Sequence, residues 1–249
     1  MRKFLATTLI AGLFSGAVFA QTTVSSANIV GYIKTETKNG LQLMASPFGA
    51  ASINDLGLTN GVGGLNLVSA DNIHVYIPGE GYKNYFYLGY VNDPNYNYKW
   101  VDSNFTIVTN VISGSTAFWY RSRSGNTVTN LFSGDVPMGS SNEVQIVEGL
   151  QLIAWPYTAD MDINSVGLTN GVGGLNLVSA DNIHVYIPGE GYQNYFYLGY
   201  VNDPNYNYKW VDSNFTIATN KISPVTGIWY RCRKVGGFKW TLNRPYLNN

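Results

Sequence analysis

The chain has 249 residues, of which only 12% are charged, and its 15 basic residues balance 15 acidic ones. Nucleic acid is therefore not expected as a partner, because proteins that bind it present clustered positive charge to the phosphates. The single cysteine, Cys232, excludes an intrachain disulfide and a cysteine-based zinc site. With 19 Tyr, 11 Phe and 6 Trp, the composition favours sheets over helices.

The first twenty residues have the features of a secretory signal peptide. Arg2 and Lys3 supply a positive start, residues 5–18 form an apolar run, and Ala20 ends a predicted cleavage site. The apolar run is shorter than the roughly 20 residues that cross a bilayer as a helix, and no later stretch is long and uncharged enough to do so. Loss of Arg2 and Lys3 leaves 13 basic against 15 acidic residues, a net charge of −2. We therefore expect a secreted protein, extracellular or periplasmic, without a transmembrane span.

An internal duplication organises the rest of the chain. Residues 57–110 match residues 167–220 at an offset of 110. Two positions differ, Lys83/Gln193 and Val108/Ala218. The identity includes turn tips that packing leaves free to vary, so it indicates recent copying of the whole segment and not selection on a site. Any functional residue inside the copied block is expected to occur twice.

The duplication divides the chain after the signal peptide into two predicted β-rich repeat units, residues 21–138 and residues 139–249. The boundary is placed within residues 134–142, where glycine, proline and serine follow the last strand of the first unit. This stretch is too short for a free linker, so the two units are expected to touch. They could be packed neighbours, complete each other's sheets or exchange edge strands.

The first predicted elements of a unit are a buried strand, a helical turn and a half-buried strand. Residues 41–48 are apolar almost throughout and predict a central strand, and residues 53–58 predict one helical turn. Residues 72–77 predict a strand with one apolar face, because three branched aliphatic residues alternate with His74 and Tyr76.

The remaining elements follow at short intervals. Residues 78–81 predict a turn, and residues 82–90 predict the returning strand of a hairpin. Further strands are predicted at residues 96–100, residues 105–112 and residues 116–121. Short antiparallel strands at this spacing predict an all-β fold of two tandem β-sandwich or barrel-like units.

Three motifs form a recognisable series at residues 27–32 (Ala-Asn-Ile-Val-Gly-Tyr), residues 40–48 (Gly-Leu-Gln-Leu-Met-Ala-Ser-Pro-Phe) and residues 117–121 (Ala-Phe-Trp-Tyr-Arg). With these motifs the chain resembles a largely uncharacterised family of secreted bacterial β-rich repeats, of the type found in planctomycete and verrucomicrobial exported proteins. The resemblance implies export and a β-rich fold, and it implies no catalytic residue. Where that family has Asn-Pro, this chain has Ser46-Pro47 and Trp155-Pro156.

Candidate catalytic groups are few. His74 and His184 are one position present twice, and a lone strand histidine is usually a surface or interface residue, because catalysis needs partners within reach. Asp71 and Glu80 could pair as the carboxylates of a glycosidase, but Glu80 between two glycines is typical of a solvated turn. No catalytic residue is therefore predicted.

Two motifs resemble ligand sites without meeting the requirements of those sites. Asp93, Asn95 and Asn97 alternate as the first oxygen ligands of an EF-hand loop do, but Tyr98 stands where that loop needs glycine. The prediction is an Asx-stabilised turn, with an incidental cation site left open. Residues 61–64 (Gly-Val-Gly-Gly) lack the Lys-Ser/Thr pair of a phosphate loop and predict a flexible turn. Neither a metal site nor a cofactor is predicted.

A tyrosine-rich hairpin in each unit is the candidate ligand-binding feature. Alternation in its returning strand places Tyr85 and Tyr87 on the face of Lys83 and leaves Phe86 and Leu88 for the interior. Exposed rings beside Asn and Asp side chains resemble a carbohydrate platform, in which rings stack on sugar faces. The alternative is cross-strand aromatic packing, or the surface where the two units meet. The predicted binding residues are Tyr85, Tyr87, Tyr96, Tyr98 and Trp100, with their counterparts Tyr195, Tyr197, Tyr206, Tyr208 and Trp210.

These observations predict a non-catalytic module with a structural or adhesive role at the cell surface or outside the cell. Its partners would be glycans or proteins of the cell envelope, bound through two weak sites that act together by avidity. The alternative is a secreted hydrolase that acts on polysaccharide. The sequence carries no indication of the oligomeric state.

Overall fold

The protein is described by a computed structural model that covers residues 29–246. The predicted signal peptide, residues 1–20, lies outside the described residues. Between residues 29 and 246 the chain forms β-strands and one short 3₁₀ helix, Ile53–Asp55, so the predicted all-β class is confirmed. This part of the chain contains no helix that is both long and apolar enough to cross a membrane.

Unit 1 begins the described chain, and its longest strands form one antiparallel sheet. Its strands are β1 (Val30–Thr37), β2 (Gly40–Ala45), β3 (Ala51–Ser52), β4 (Asn72–Ile77), β5 (Gly81–Tyr87), β6 (Trp100–Val101), β7 (Val111–Ile112), β8 (Ala117–Ser122) and β9 (Val128–Asp135). The five-stranded sheet has the order β2-β8-β4-β5-β6, and two-stranded ribbons are formed by β1 with β9 and by β3 with β7.

Unit 2 repeats this arrangement strand for strand. Its strands are β10 (Ser141–Ile146), β11 (Gly149–Ile153), β12 (Met161–Asp162), β13 (Asn182–Ile187), β14 (Gly191–Tyr197), β15 (Trp210–Val211), β16 (Lys221–Ile222), β17 (Ile228–Cys232) and β18 (Phe238–Asn243). The sheet has the order β11-β17-β13-β14-β15, and the ribbons are β10 with β18 and β12 with β16.

Each unit pairs its own first and last strands. The ribbon of unit 1 runs in register from Val30 opposite Asp135 to Thr37 opposite Val128, and β10 pairs with β18 in the same way. Residues 136–140 connect the two units, and the predicted boundary after residue 138 falls within them. Within the described chain the edge strands are therefore not exchanged between units.

The two faces of each five-stranded sheet have different roles. The inner face carries the main core of the unit, where Ile73 packs with Tyr85, Tyr87, Trp100 and Tyr120. The ribbon of β1 and β9 and the 3₁₀ helix contribute to the same core. The apolar alternation predicted for residues 72–77 is confirmed, because it generates this inner face.

The strand predicted at residues 41–48 exists but is not central. Strand β2 lies at the edge of its sheet, where it pairs with β8 and makes one isolated bridge to unit 2, between Met44 and Thr226. Its long apolar run is explained by unit 2, which approaches this edge and accepts a hydrogen bond from the Ala45 amide at the Val225 carbonyl, 2.9 Å away. The helical turn predicted nearby is confirmed as the 3₁₀ helix, which Ser52 caps by accepting a hydrogen bond from the Asn54 amide.

Two further strand predictions are wrong for most of their length. Residues 96–100 form a turn that leads into the two-residue strand β6, and residues 105–112 retain only β7 as a strand. Tyr98 and Phe105 adopt φ angles of 59° and 60°, a left-handed conformation that interrupts an extended chain. The aromatic residues at positions 96, 98 and 100 therefore have the spacing of a strand although most of this segment is a turn.

A buried carboxylate lies against the glycine-rich loop of each unit. In unit 1, Asp71 accepts hydrogen bonds from the Tyr120 hydroxyl at 2.5 Å and from the Arg123 amide at 2.6 Å. A Cβ atom at Gly61 would lie 2.2 Å from the Asp71 carboxylate, so the loop passes only because this residue is glycine. Burial, reinforced by the charge of Asp71, raises the pKa of Tyr120. The same contacts recur in unit 2 between Asp181, Tyr230, Arg233 and Gly171.

The cores of the two units differ where the copies diverge. In unit 2, Trp155 is buried against Tyr157 and Trp240, with 5.3 and 6.4 Å between ring centroids. In unit 1, Ser46 occupies the position of Trp155 and lines a cavity of about 330 Å³. Asn130 occupies the position of Trp240, and its buried Oδ1 has no hydrogen-bond partner. Unit 2 is therefore the more completely filled of the two.

Candidate binding groove between the two units

The outer face of each five-stranded sheet carries a patch of aromatic and polar side chains. In unit 1 the strand register places His74 between Trp119 on β8 and Asn84 on β5. Two residues further along β4, Tyr76 lies opposite Tyr82. Because side chains alternate along a strand, all five residues project from the same face, opposite the core.

The two outer faces meet through reciprocal aromatic contacts. Tyr76 of unit 1 packs edge to face on Trp229 of unit 2, with 5.1 Å between ring centroids. Trp119 of unit 1 packs in the same way on Tyr186 of unit 2, at 4.9 Å. Since Tyr186 is the counterpart of Tyr76 and Trp229 that of Trp119, the units are related by a pseudo-two-fold axis, as subunits are in an isologous dimer.

Backbone hydrogen bonds repeat this reciprocity. The Ala45 amide donates to the Val225 carbonyl at 2.9 Å, and the Ala154 amide donates to the Ser115 carbonyl at 2.8 Å. Ala45 and Ala154 are equivalent positions, as are Ser115 and Val225. The units are therefore packed neighbours with separate sheets, joined at the sheet edges by a few backbone contacts.

Small residues allow the close approach of the units. The seam contains one buried cluster shared by both, formed by Leu43, Ala45, Ala117, Trp119, Leu152, Ala154 and Trp229. A Cβ atom at Gly227 would lie 2.1 Å from the Cβ atom of Ala117, so any larger residue would force the two backbones apart.

Two neighbouring concavities lie at the seam and share two lining residues, Tyr192 and Trp229 of unit 2. We call the two concavities together the interface groove. Half-site 1, of about 450 Å³, is lined from unit 1 by Leu41, His74, Tyr82, Asn84, Trp119 and Arg121. Half-site 2, of about 460 Å³, is lined by Leu150, His184, Tyr192, Asn194, Trp229 and Arg231. Both volumes lie within the range of about 300–1,000 Å³ that is typical of small-ligand sites.

The aromatic walls of the groove are partly exposed and held in place. Tyr82 is 47% exposed and Tyr192 is 48% exposed, whereas Trp119 and Trp229 are buried. Tyr82 packs edge to face on its cross-strand partner Tyr76, with 5.3 Å between ring centroids. Partial burial raises the pKa of Tyr82, and a hydrogen bond with the Trp119 side chain opposes this shift. The hydroxyl is therefore protonated near neutral pH and can both donate and accept hydrogen bonds.

Polar groups flank the aromatic walls in both half-sites. The His74 Nδ1 and Asn84 Oδ1 atoms are 2.7 Å apart, and the equivalent atoms of His184 and Asn194 are 2.6 Å apart. An amide oxygen only accepts, so with Asn84 in this orientation His74 donates from Nδ1 and keeps Nε2 for another partner.

The five predicted binding positions in each unit fall into two groups, which differ in burial and in their place in the fold. Tyr85, Tyr87 and Trp100 are buried on the inner face, so the expected exposure of Tyr85 and Tyr87 is wrong. Phe86 and Leu88 are buried as well, in a small separate cluster on the other side of the sheet. Both faces of this strand are covered, which alternation alone could not show. The same holds in unit 2 for Tyr195, Tyr197 and Trp210.

The other two predicted positions lie in the turn that follows the hairpin. Tyr96 is half-buried beside the cluster of Phe86 and Leu88. Tyr98 is exposed and packs beside Tyr90 at 6.3 Å between ring centroids. Tyr206 and Tyr208 repeat these two environments in unit 2. None of these four tyrosines lines the interface groove.

The residues that do line the groove were absent from the predicted binding set, although a signal for them was present. The alternation in residues 72–77 already separated His74 and Tyr76 from the apolar face. The register of the hairpin then joins Tyr82 and Asn84 to them. What the sequence of one unit lacks is the second unit, which converts this face into a groove.

Carboxylates are placed elsewhere in the described chain. Glu80 lies at the exposed hairpin tip, 3.3 Å from Lys83, while Asp71 is buried beside Tyr120. These two acids therefore do not form the glycosidase pair considered above. Asp93 accepts a hydrogen bond from the Asn95 amide at 2.9 Å, which confirms the predicted Asx turn. Among the described residues, no three His, Cys, Asp or Glu side chains cluster as a metal site would require.

Comparisons with protein-family models, with curated proteins and with solved structures found no match to this chain.

Proposed function

We propose that this protein is an exported, non-catalytic binding protein that recognises glycans through the interface groove. The observation that carries the proposal is that Tyr82 and Tyr192 line the groove together with Trp119 and Trp229, with a His-Asn pair in each half-site. Sugars combine apolar ring faces with hydroxyl groups, so they suit aromatic walls interleaved with amides and imidazoles.

The rigidity of the groove supports a binding role. Tyr82 is braced by Tyr76, and Tyr192 is braced by Tyr186 at 5.2 Å between ring centroids. Both braces are in turn packed on tryptophans of the opposite unit. A tyrosine that is already positioned loses little rotamer freedom when a ligand stacks on it, so more of the contact energy contributes to affinity.

The chemistry of the lining favours binding over hydrolysis. No Asp or Glu is among the described residues that line the two half-sites. Most glycoside hydrolases use a pair of carboxylates placed on either side of the bond that they cleave. The polysaccharide hydrolase considered above would therefore need its carboxylates outside this groove.

A glycan array probed with the secreted form of the protein tests the proposal. We expect binding that decreases about tenfold in the variant carrying Tyr82→Ala and Tyr192→Ala, since each substitution removes a stacking ring. The matched control is Tyr90→Ala with Tyr200→Ala, which removes two exposed tyrosines outside the groove. Equal binding by the two variants would refute the groove as the site, and the absence of binding to any glycan would refute the proposed function.

A further inference from the structure

We propose that each half-site of the interface groove takes a saccharide unit that bears an anionic group, a uronate carboxylate or a sulfate ester, on Arg121 or Arg231. The inference rests on the proposed function and specifies its ligand class. It also predicts that one chain binds two such units, one in each half-site.

The two groove arginines are the first support, because nothing in the described chain uses them. The side chains of Arg121 and Arg231 are exposed and make no hydrogen bond or salt bridge with any described residue. By contrast, the nearby Arg123 donates to the Leu67 carbonyl at 2.9 Å, and Arg233 donates to the Leu177 carbonyl at 2.7 Å. The chain thus has arginines that hold its loops, and Arg121 and Arg231 are not among them.

The charge of the groove is the second support. Each half-site contains one arginine, and no carboxylate lines either half-site in the described chain to neutralise it. The two salt bridges found among the described residues, Lys83 with Glu80 and Lys239 with Glu143, involve no groove arginine. A concave site of one sign attracts ligands of the opposite sign, and a guanidinium can bind the two oxygens of a carboxylate or sulfate together.

The pseudo-two-fold axis sets the number of ligands. It exchanges the two units, so it relates His74, Asn84 and Arg121 of half-site 1 to His184, Asn194 and Arg231 of half-site 2. Rotation by a two-fold axis that is perpendicular to the groove reverses direction along it. A saccharide chain has two different ends, so one chain cannot present the same groups to both half-sites. Two short ligands that lie in opposite directions can do so.

Isothermal titration calorimetry with short uronate oligosaccharides, sulfated oligosaccharides and their neutral counterparts tests the inference. We expect two acidic ligands per wild-type chain, and binding that weakens as salt is added. Arg121→Gln and Arg231→Gln should each leave one strong site, and the double variant should lose affinity about tenfold or more at both. The control is Lys99→Gln with Lys209→Gln, which removes the same charge at duplicated positions outside the groove. Comparison of uronate with sulfated ligands identifies which anionic group is recognised.

The outcomes separate this inference from the proposed function. If neutral glycans bind as tightly as acidic ones and the arginine variants bind normally, the anionic ligand class is wrong and the glycan platform stands. If acidic ligands bind once per chain, the assignment of one ligand to each half-site is wrong. If neither neutral nor acidic glycans bind, the proposed function and this inference both fail.

Discussion

Trp119 of unit 1 and Tyr186 of unit 2 meet edge to face, with 4.9 Å between their ring centroids. Trp229 and Tyr76 make the reciprocal contact at 5.1 Å. Each tryptophan lies on the outer face of its own sheet and is buried at the seam, in contact with a tyrosine of the other unit. The seam therefore supplies burial that neither sheet supplies for itself, and the two units should depend on each other for stability.

Substitutions across the seam should be coupled. We expect the double variant Trp119→Ala with Tyr186→Ala to be less destabilised than the sum of the single variants, by about 0.5–1.5 kcal/mol of coupling free energy. Urea unfolding of the four proteins in the cycle measures this difference. Trp119→Ala with Tyr90→Ala is the control, and we expect those two effects to add within about 0.5 kcal/mol. Additive effects of the seam pair would contradict a direct contact.

The local elements that sequence predicts correctly are those whose two faces carry different kinds of side chain. Residues 72–77 alternate because Ile73 and its strand neighbours point into one core, and the following Pro-Gly-Glu-Gly turn returns the chain as β5. The presence of two units follows from the duplication, and the all-β fold class follows from these patterns. In physical terms, side chains alternate between the two faces of a strand, and a tight turn needs particular residues, so both features of a hairpin are visible in its sequence.

The groove could not be predicted because it depends on contacts between distant segments. Alternation places Tyr85 on the same face as the charged Lys83, which predicts that it is exposed. The sheet is nevertheless covered on both sides in this region, by the core and by the small cluster around Phe86. In the sequence, Trp119 has no feature that distinguishes it from other strand residues, and its contact with Tyr186 of the other unit is visible only in the structure. The pattern of one unit contains neither the covering layer nor the two-fold axis that brings both half-sites together.

The hydrogen bond between Tyr120 and Asp71 should contribute to stability. Tyr120→Phe removes the hydroxyl and leaves a buried carboxylate with one donor fewer, so we expect the free energy of unfolding to fall by about 1–3 kcal/mol. Tyr90→Phe is the control, because the hydroxyl of Tyr90 bonds to Asn92 at the surface and its loss should change stability by less than about 0.5 kcal/mol. Urea unfolding of both variants at neutral pH provides the comparison, and equal losses would argue against a special role for the buried pair.

Buried tyrosines should make the fold sensitive to alkali. Burial raises the pKa of Tyr87 and of Tyr197 to about 12, compared with about 10 in an unfolded chain. Above pH 10 the unfolded state releases protons that the folded state retains. The contribution of these tyrosines to the free energy of unfolding should therefore be constant below that pH and decrease as the pH rises from 10 to about 12. The pKa values of Tyr120 and Tyr230 shift in the same direction.

The variant Tyr87→Phe with Tyr197→Phe tests this pH dependence. It removes two of the tyrosines whose pKa is raised by burial, so the decrease in the free energy of unfolding above pH 10 should become shallower without disappearing. Urea unfolding at a series of pH values between neutrality and pH 12 measures the slope. An unchanged slope in the variant would show that other groups cause the alkaline loss of stability.

Because the two cores are filled to different extents, substitutions at equivalent positions of the two units should change the free energy of unfolding by different amounts. Trp155→Ser gives unit 2 the residue that unit 1 has at this place, and it leaves Tyr157 and Trp240 without the ring that packs between them. We expect a loss of about 3–5 kcal/mol in the free energy of unfolding, as for other buried tryptophans that are truncated. Ser46→Ala in unit 1 is the matched change, and because Ser46 already borders a cavity it should cost no more than about 1 kcal/mol. Urea unfolding followed by tryptophan fluorescence measures both. Similar losses at the two positions would mean that Trp155 is not what fills unit 2, whereas a large and selective loss would show that the copies, nearly identical in their hairpins, have diverged in the cores that support them.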